Sequence, residues 1–103
     1  MAQFAALWAL GVEEATTATL GATTASAIIT IGVDRKFIIS ATGPFNLRMA
    51  SSLSTSATAA DAADFEFPGS AVYTLQTGPN MDSVYLFNPG ASSITYWLQP
   101  LSN

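Results

Sequence analysis

Runs of alternating or continuous β-formers, each bounded by turn-forming residues, mark this chain as a series of short strands. The runs are residues 26–31, 36–42, 45–50, 64–67, 71–77, 83–88 and 94–99. In Phe45-Asn46-Leu47-Arg48-Met49 the apolar residues share one face and the polar residues the other, and Asp64-Phe65-Glu66-Phe67 alternates in the same way. Both segments are predicted to be half-buried strands. Ile28-Ile29, Phe37-Ile38-Ile39 and Val84-Tyr85-Leu86-Phe87 are apolar on both faces, the pattern of a central strand covered on two sides. Along Ile94-Thr95-Tyr96-Trp97-Leu98-Gln99, Ile94, Tyr96 and Leu98 fall together, and Trp97 faces the other way beside Thr95 and Gln99.

Between these runs stand Gly32-Val33-Asp34-Arg35, Thr42-Gly43-Pro44, Thr77-Gly78-Pro79-Asn80 and Asn88-Pro89-Gly90-Ala91. These are turn sequences, with Gly for positive φ and Pro for a fixed φ, and they are not helix caps. The expectation is an all-β fold: a single antiparallel β-sandwich, jelly-roll or Greek-key-like, of seven to eight short strands. Residues 26–50 and 71–99 read as two three-stranded meanders, joined by a Ser/Ala/Thr-rich loop over 51–63. Residues 1–25 read as an N-terminal arm or extended segment, and 26–103 as the sandwich domain.

The arm opens with Phe4, Ala5, Ala6, Leu7, Trp8, Ala9 and Leu10, with Glu13 and Glu14 soon after. No basic residue precedes the apolar run, as a secretory signal would require, and the run is about half the ~20 residues of a membrane-spanning helix. It is expected either to dock on the core or to offer Phe4, Leu7 and Trp8 to a neighbouring subunit.

Composition narrows the functional classes. Only 10% of the 103 residues are charged, and three basic against seven acidic residues give a net charge of −4. That leaves no basic footprint for nucleic acid or anionic lipid. Without Cys or His there is no disulfide, no thiolate site and none of the commonest general base. No cofactor or metal is expected. Asp61, Asp64 and Glu66 are the acidic cluster; alternation with Phe65 and Phe67 reads as a solvated strand face in preference to a Ca²⁺ site or a catalytic dyad. Lys36, beside Asp34 and Arg35 in a turn, reads as solvated charge that blunts a hairpin end or meets acidic groups of a partner, as does Arg48 on its strand. A chain so poor in charge has few residues to protect strand edges, which points to edges and apolar faces covered in an assembly.

The segments Asp64-Phe65-Glu66-Phe67-Pro68, Tyr73-Thr74-Leu75-Gln76-Thr77-Gly78, Asp82 to Ala91 and Tyr96-Trp97-Leu98-Gln99-Pro100-Leu101 resemble small virion structural proteins of tailed bacteriophages, over roughly residues 64 to 103. The resemblance implies a non-enzymatic capsid decoration (cement) protein on the virion surface. Its implied partners are the major capsid protein and copies of itself, as a dimer or trimer. Phe4, Trp8, Trp97, Tyr85 and Arg48 are the candidate contact residues. A tail, head-fibre or adaptor component of the same virion is the neighbouring reading. From another class comes a carbohydrate-binding sandwich using Trp97, Tyr85 and Tyr73 as a stacking platform.

Overall fold

A computed structural model describes residues 16–53 and 59–101, and among them every regular element is a strand. In chain order these are β1 (Thr16–Leu20), β2 (Thr24–Ala25), β3 (Ile29–Thr30), β4 (Lys36–Ala41), β5 (Phe45–Ala50), β6 (Phe65–Phe67), β7 (Val72–Gln76), β8 (Ser83–Asn88) and β9 (Ile94–Pro100). They form two antiparallel sheets. One has the order β1-β9-β4-β7; the other runs β2-β8-β5-β6, with β3 also on β8.

The pairing has one simple description. As the first partner advances from Thr16 to Leu47, the second retreats almost residue for residue from Leu98 to Phe65: Thr16↔Leu98, Ala25↔Phe87, Ile29↔Val84, Lys36↔Gln76, Phe45↔Phe67 and Leu47↔Phe65. The chain is therefore one long hairpin with its apex between β5 and β6, and the doubled ribbon winds between the two sheets. The closing contacts are β4·β9 and β5·β8. With β2 and β3 counted as halves of one interrupted strand, this is an eight-stranded jelly roll.

This topology replaces the two expected meanders. Most sequence neighbours, such as β4 and β5 or β8 and β9, lie in opposite sheets, because each turn hands the chain across the sandwich. The boundary between arm and sandwich also moves. Thr16 to Ala25, assigned to the arm on composition, supply β1 and β2, since β-branched Thr suits an edge strand paired to β9.

The core lies between the sheets. Phe37, Ile39 and Leu98 come from one sheet, and Phe45, Val84 and Leu86 from the other, all essentially without solvent contact. Burying each such side chain stabilises the fold by roughly 1.5–3 kcal/mol. Three buried polar residues fasten the ends of the roll. Asn88 donates through Nδ2 to the carbonyls of Leu20 (3.2 Å), Gly21 (3.0 Å) and Ser92 (2.8 Å), while its Oδ1 accepts Gly90 N–H at 3.0 Å. Thr77 Oγ1 accepts the Arg35 N–H at 2.9 Å and donates to Gly32 O, joining the turns at one end. Asn46 donates to Asp64 O at 2.8 Å.

Candidate interaction surface

The two sheets differ in what covers their outer faces. On the β2-β8-β5-β6 sheet, Asn46 and Arg48 of β5 alternate with core-facing Phe45 and Leu47, so they point outward. The segment before β6 folds over them. Arg48 donates from Nη1 to Ala59 O (2.9 Å) and from Nε to Asp64 Oδ1 (3.1 Å), and its Nη2 lies 3.0 Å from Asp64 Oδ2 and 3.6 Å from Asp61 Oδ2. Asp61 N–H donates to Asp64 Oδ2 at 2.9 Å, which closes a tight acidic turn around the guanidinium. Ala60 is buried beneath this lid.

The other side of the loop is anchored by Asp82. Its Oδ1 accepts the Ser52 N–H at 2.7 Å and its Oδ2 the Ser52 hydroxyl at 2.6 Å; Ser83 Oγ donates to Oδ1 at 2.9 Å. These bonds, the Ser52 hydroxyl first, hold the Asp82 carboxyl below its ordinary pKa of 3.8. The sequence alone does not single out Asp82, because its main partner, Ser52, is 30 residues away in the chain.

The β1-β9-β4-β7 sheet has no such lid among the described residues. Residues directly opposite one another share a face, so its outer surface is assembled from registered rows. Thr17, Trp97, Ser40 and Val72 form one row, and Gln99, Ile38 and Thr74 the next. Thr19 pairs with Thr95, and Lys36 with Gln76. Among the described residues Lys36 is the one charge on this face. Trp97 is 44% exposed and Val72 70%, whereas flanking Tyr96 and Leu98 are buried. The alternation predicted for residues 94–99 holds, and Trp97 stands among hydroxyl, amide and aliphatic groups on this face.

The candidate contact residues therefore separate. Trp97 is on the open face. Tyr85 lies on the outer face of the opposite sheet, half-buried opposite Arg48, and Arg48 is engaged by Ala59, Asp61 and Asp64 of its own chain. Tyr73 is on the inner side of β7, packed on Phe45 and Phe67, with its hydroxyl donating to Pro68 O at 2.8 Å. Trp97, Tyr85 and Tyr73 thus share no platform. Phe4 and Trp8 lie outside the described residues. Of the acidic cluster, Glu66 is exposed as expected, but Asp64 is half-buried in its pair with Arg48. Arg35, read as solvated charge, donates from Nε to Leu101 O at 3.0 Å and from Nη1 to Ile31 O at 3.4 Å. No group of three His, Cys, Asp or Glu among the described residues is arranged to hold a metal.

Alternation predicted both Phe65 and Phe67 to be half-buried. Phe67 is, stacked on Phe45 with centroids 5.3 Å apart, but Phe65 is 72% exposed. The cause is position: β6 is a three-residue edge strand at the side where the sandwich is open, so its inward face reaches past the core.

No protein-family model and no curated protein matches the chain. Among solved structures, the chain is similar to the solution NMR structure of a de novo designed double-stranded β-helix, at a TM-score of 0.59 and 11% identity, over 85% of this chain and 99% of the design. That likeness concerns the fold alone, and it agrees with the wound double ribbon read from the strand register.

Proposed function

We propose that this protein is a non-enzymatic structural component of a phage virion, of the capsid decoration type, which docks on the major capsid protein through the open β1-β9-β4-β7 face. The observation that carries the reading is the contrast between the two sheets. One outer face is covered by the chain's own ion-paired loop, and the other, centred on Trp97, is broad and nearly uncharged. Such a face suits contact with another protein, where buried aromatics concentrate binding energy. The resemblance of residues 64 to 103 to phage virion proteins supports the same reading. The jelly roll is compatible with it but hosts many other functions, so the fold does not choose among them.

Quantitative mass spectrometry of purified particles tests the proposal. A simple stoichiometric ratio to the major capsid protein is expected. A few copies per particle would reassign the chain to the tail, head fibre or an adaptor, and absence from particles would overturn the virion reading. In a capsid-binding assay, Trp97→Ala is expected to weaken attachment about 30-fold, the equivalent of roughly 2 kcal/mol.

A further inference from the structure

We infer that two copies of this chain join edge to edge through β7, merging their β1-β9-β4-β7 sheets into one continuous sheet of twice the width. The backbone supplies the first reason. Thr77 N–H donates to Arg35 O at 3.0 Å, so Thr77 is a hydrogen-bonded partner of β4. By antiparallel alternation Leu75 and Tyr73 are bonded to β4 in the same way. Val72, Thr74 and Gln76 therefore turn their N–H and C=O groups toward an edge that no strand among the described residues pairs. This edge has none of the usual protection: β7 reads Val-Tyr-Thr-Leu-Gln, without a charge, a proline or a glycine.

The second reason is what surrounds that edge. Both edges of the four-stranded sheet are uncharged, but they differ in apolar exposure. The exposed residues of β1 are only Thr and Ala, with Thr17 and Thr19 on its outer face. On the β7 side, Phe67 of β6 meets Tyr73 at 5.1 Å, Phe65 meets Phe67 at 5.0 Å, and Phe65 and Val72 are the two most exposed large apolar residues in the described strands. Solvent-exposed apolar area of this kind on a free edge is what a second sheet removes from water.

The third reason is self-complementarity. A two-fold axis through Thr74 sets Thr74 against Thr74 of the second copy, Val72 against Gln76, and Tyr73 against Leu75. Each residue directed at the edge then exchanges both of its backbone hydrogen bonds, no like charges oppose, and Lys36 is continued by Gln76 and then Val72 of the other copy. On the inner side Tyr73 and Leu75, both half-buried, cover one another across the seam. The joined outer face carries two Trp97 side chains, about 28 Å apart, from five strand spacings across the sheet and about four residues along it. The dimer is a property of the isolated chain and stands or falls separately from the virion reading.

The experiment is sedimentation equilibrium of the full chain and three variants, with far-UV circular dichroism to verify the fold. Wild type is expected at twice the 10.7 kDa chain mass. Thr74→Pro removes an edge-facing N–H while sparing the bonds to β4, and Thr74→Lys places two like charges face to face on the axis. Both are expected to be folded monomers, whereas Thr17→Pro, on the β1 edge, is expected to remain a dimer. A monomeric wild type, a Thr74→Lys variant that stays dimeric, or dissociation by Thr17→Pro instead would each overturn the inference.

Discussion

Tyr96 and Trp97 are consecutive on β9 and lie on opposite sides of the same sheet: Tyr96 is 4% exposed in the core and Trp97 44% exposed on the open face. Burial raises the Tyr96 phenol above its ordinary pKa of 10.0 by desolvation. Truncation at the two positions should therefore separate folding from binding. Tyr96→Ala is expected to cost about 3–5 kcal/mol of stability through lost burial and a residual cavity. Trp97→Ala is expected to cost less than about 1 kcal/mol, as a surface substitution. Urea denaturation of both variants checks this, and equal losses would place Trp97 in the core.

Asn88 satisfies three carbonyls and one N–H between the end of β1 and the turn before β9. Asn88→Ala is expected to lose about 2–3 kcal/mol, because buried carbonyls are left unpaired. Asn88→Asp is expected to fare no better, since it exchanges the Nδ2 donor for a negative oxygen facing those same carbonyls. Thermal unfolding of the two variants provides the comparison; a near-wild-type Asn88→Asp would mean that shape, and not donation, holds the corner.

Strand positions and faces were legible in the sequence because side-chain alternation is local: β4, β5, β8 and β9 begin at the residues where the β-forming runs begin, and Trp97 faces as alternation requires. Strand partners were not legible. The Thr42-Gly43-Pro44 and Thr77-Gly78-Pro79 turns resemble hairpin closures, yet each passes the chain between sheets, and which strand waits there is decided by packing across the whole roll. Phe65 alternates as a buried residue would, and only its place on the outermost strand exposes it. Asp82, Asn88 and Arg48 look like ordinary surface polar residues until the roll brings distant loops to them.

Arg48 gathers Ala59, Asp61 and Asp64 against β5, so it is expected to control the lid more than the global fold. Partly exposed pairs of this kind contribute on the order of 1 kcal/mol. Arg48→Ala should therefore leave the core intact while the Asp61 and Ala63 amides, bonded within the acidic turn, exchange faster with deuterium. Unchanged protection at those amides would show that the lid is held by its burial alone.

Asp82 predicts a specific acid response. Its folded pKa lies below 3.8, so its contribution is fully present above that value and is lost as pH falls through the folded pKa. The carboxylate accepts from Ser52 and Ser83, and protonation weakens both links. In unfolding midpoints recorded from neutral pH to strong acid, wild type is expected to exceed Asp82→Asn above pH 3.8 and to converge on it below. A constant gap across the range would mean that the group contributes by shape and not by charge.

Gly69 is fixed by contact with the opposite arm of the hairpin. A Cβ at this position would lie 2.4 Å from the Gly43 carbonyl carbon and 2.5 Å from its Cα, backbone atoms with no rotamer to escape into. Gly43 is in turn confined, since its own Cβ would sit 2.7 Å from Ile94 Cγ2 above the core. The two glycines let the turn before β5 and the turn after β6 cross where Ser70 N–H donates to Ala41 O at 2.8 Å. Gly69→Ala is expected to destabilise by about 1–3 kcal/mol or more, as overpacking against an immovable neighbour does. Gly78→Ala meets no atom within 4 Å and is the matched control, expected to be near neutral. Equal unfolding midpoints for the two variants would show that the crossing widens freely.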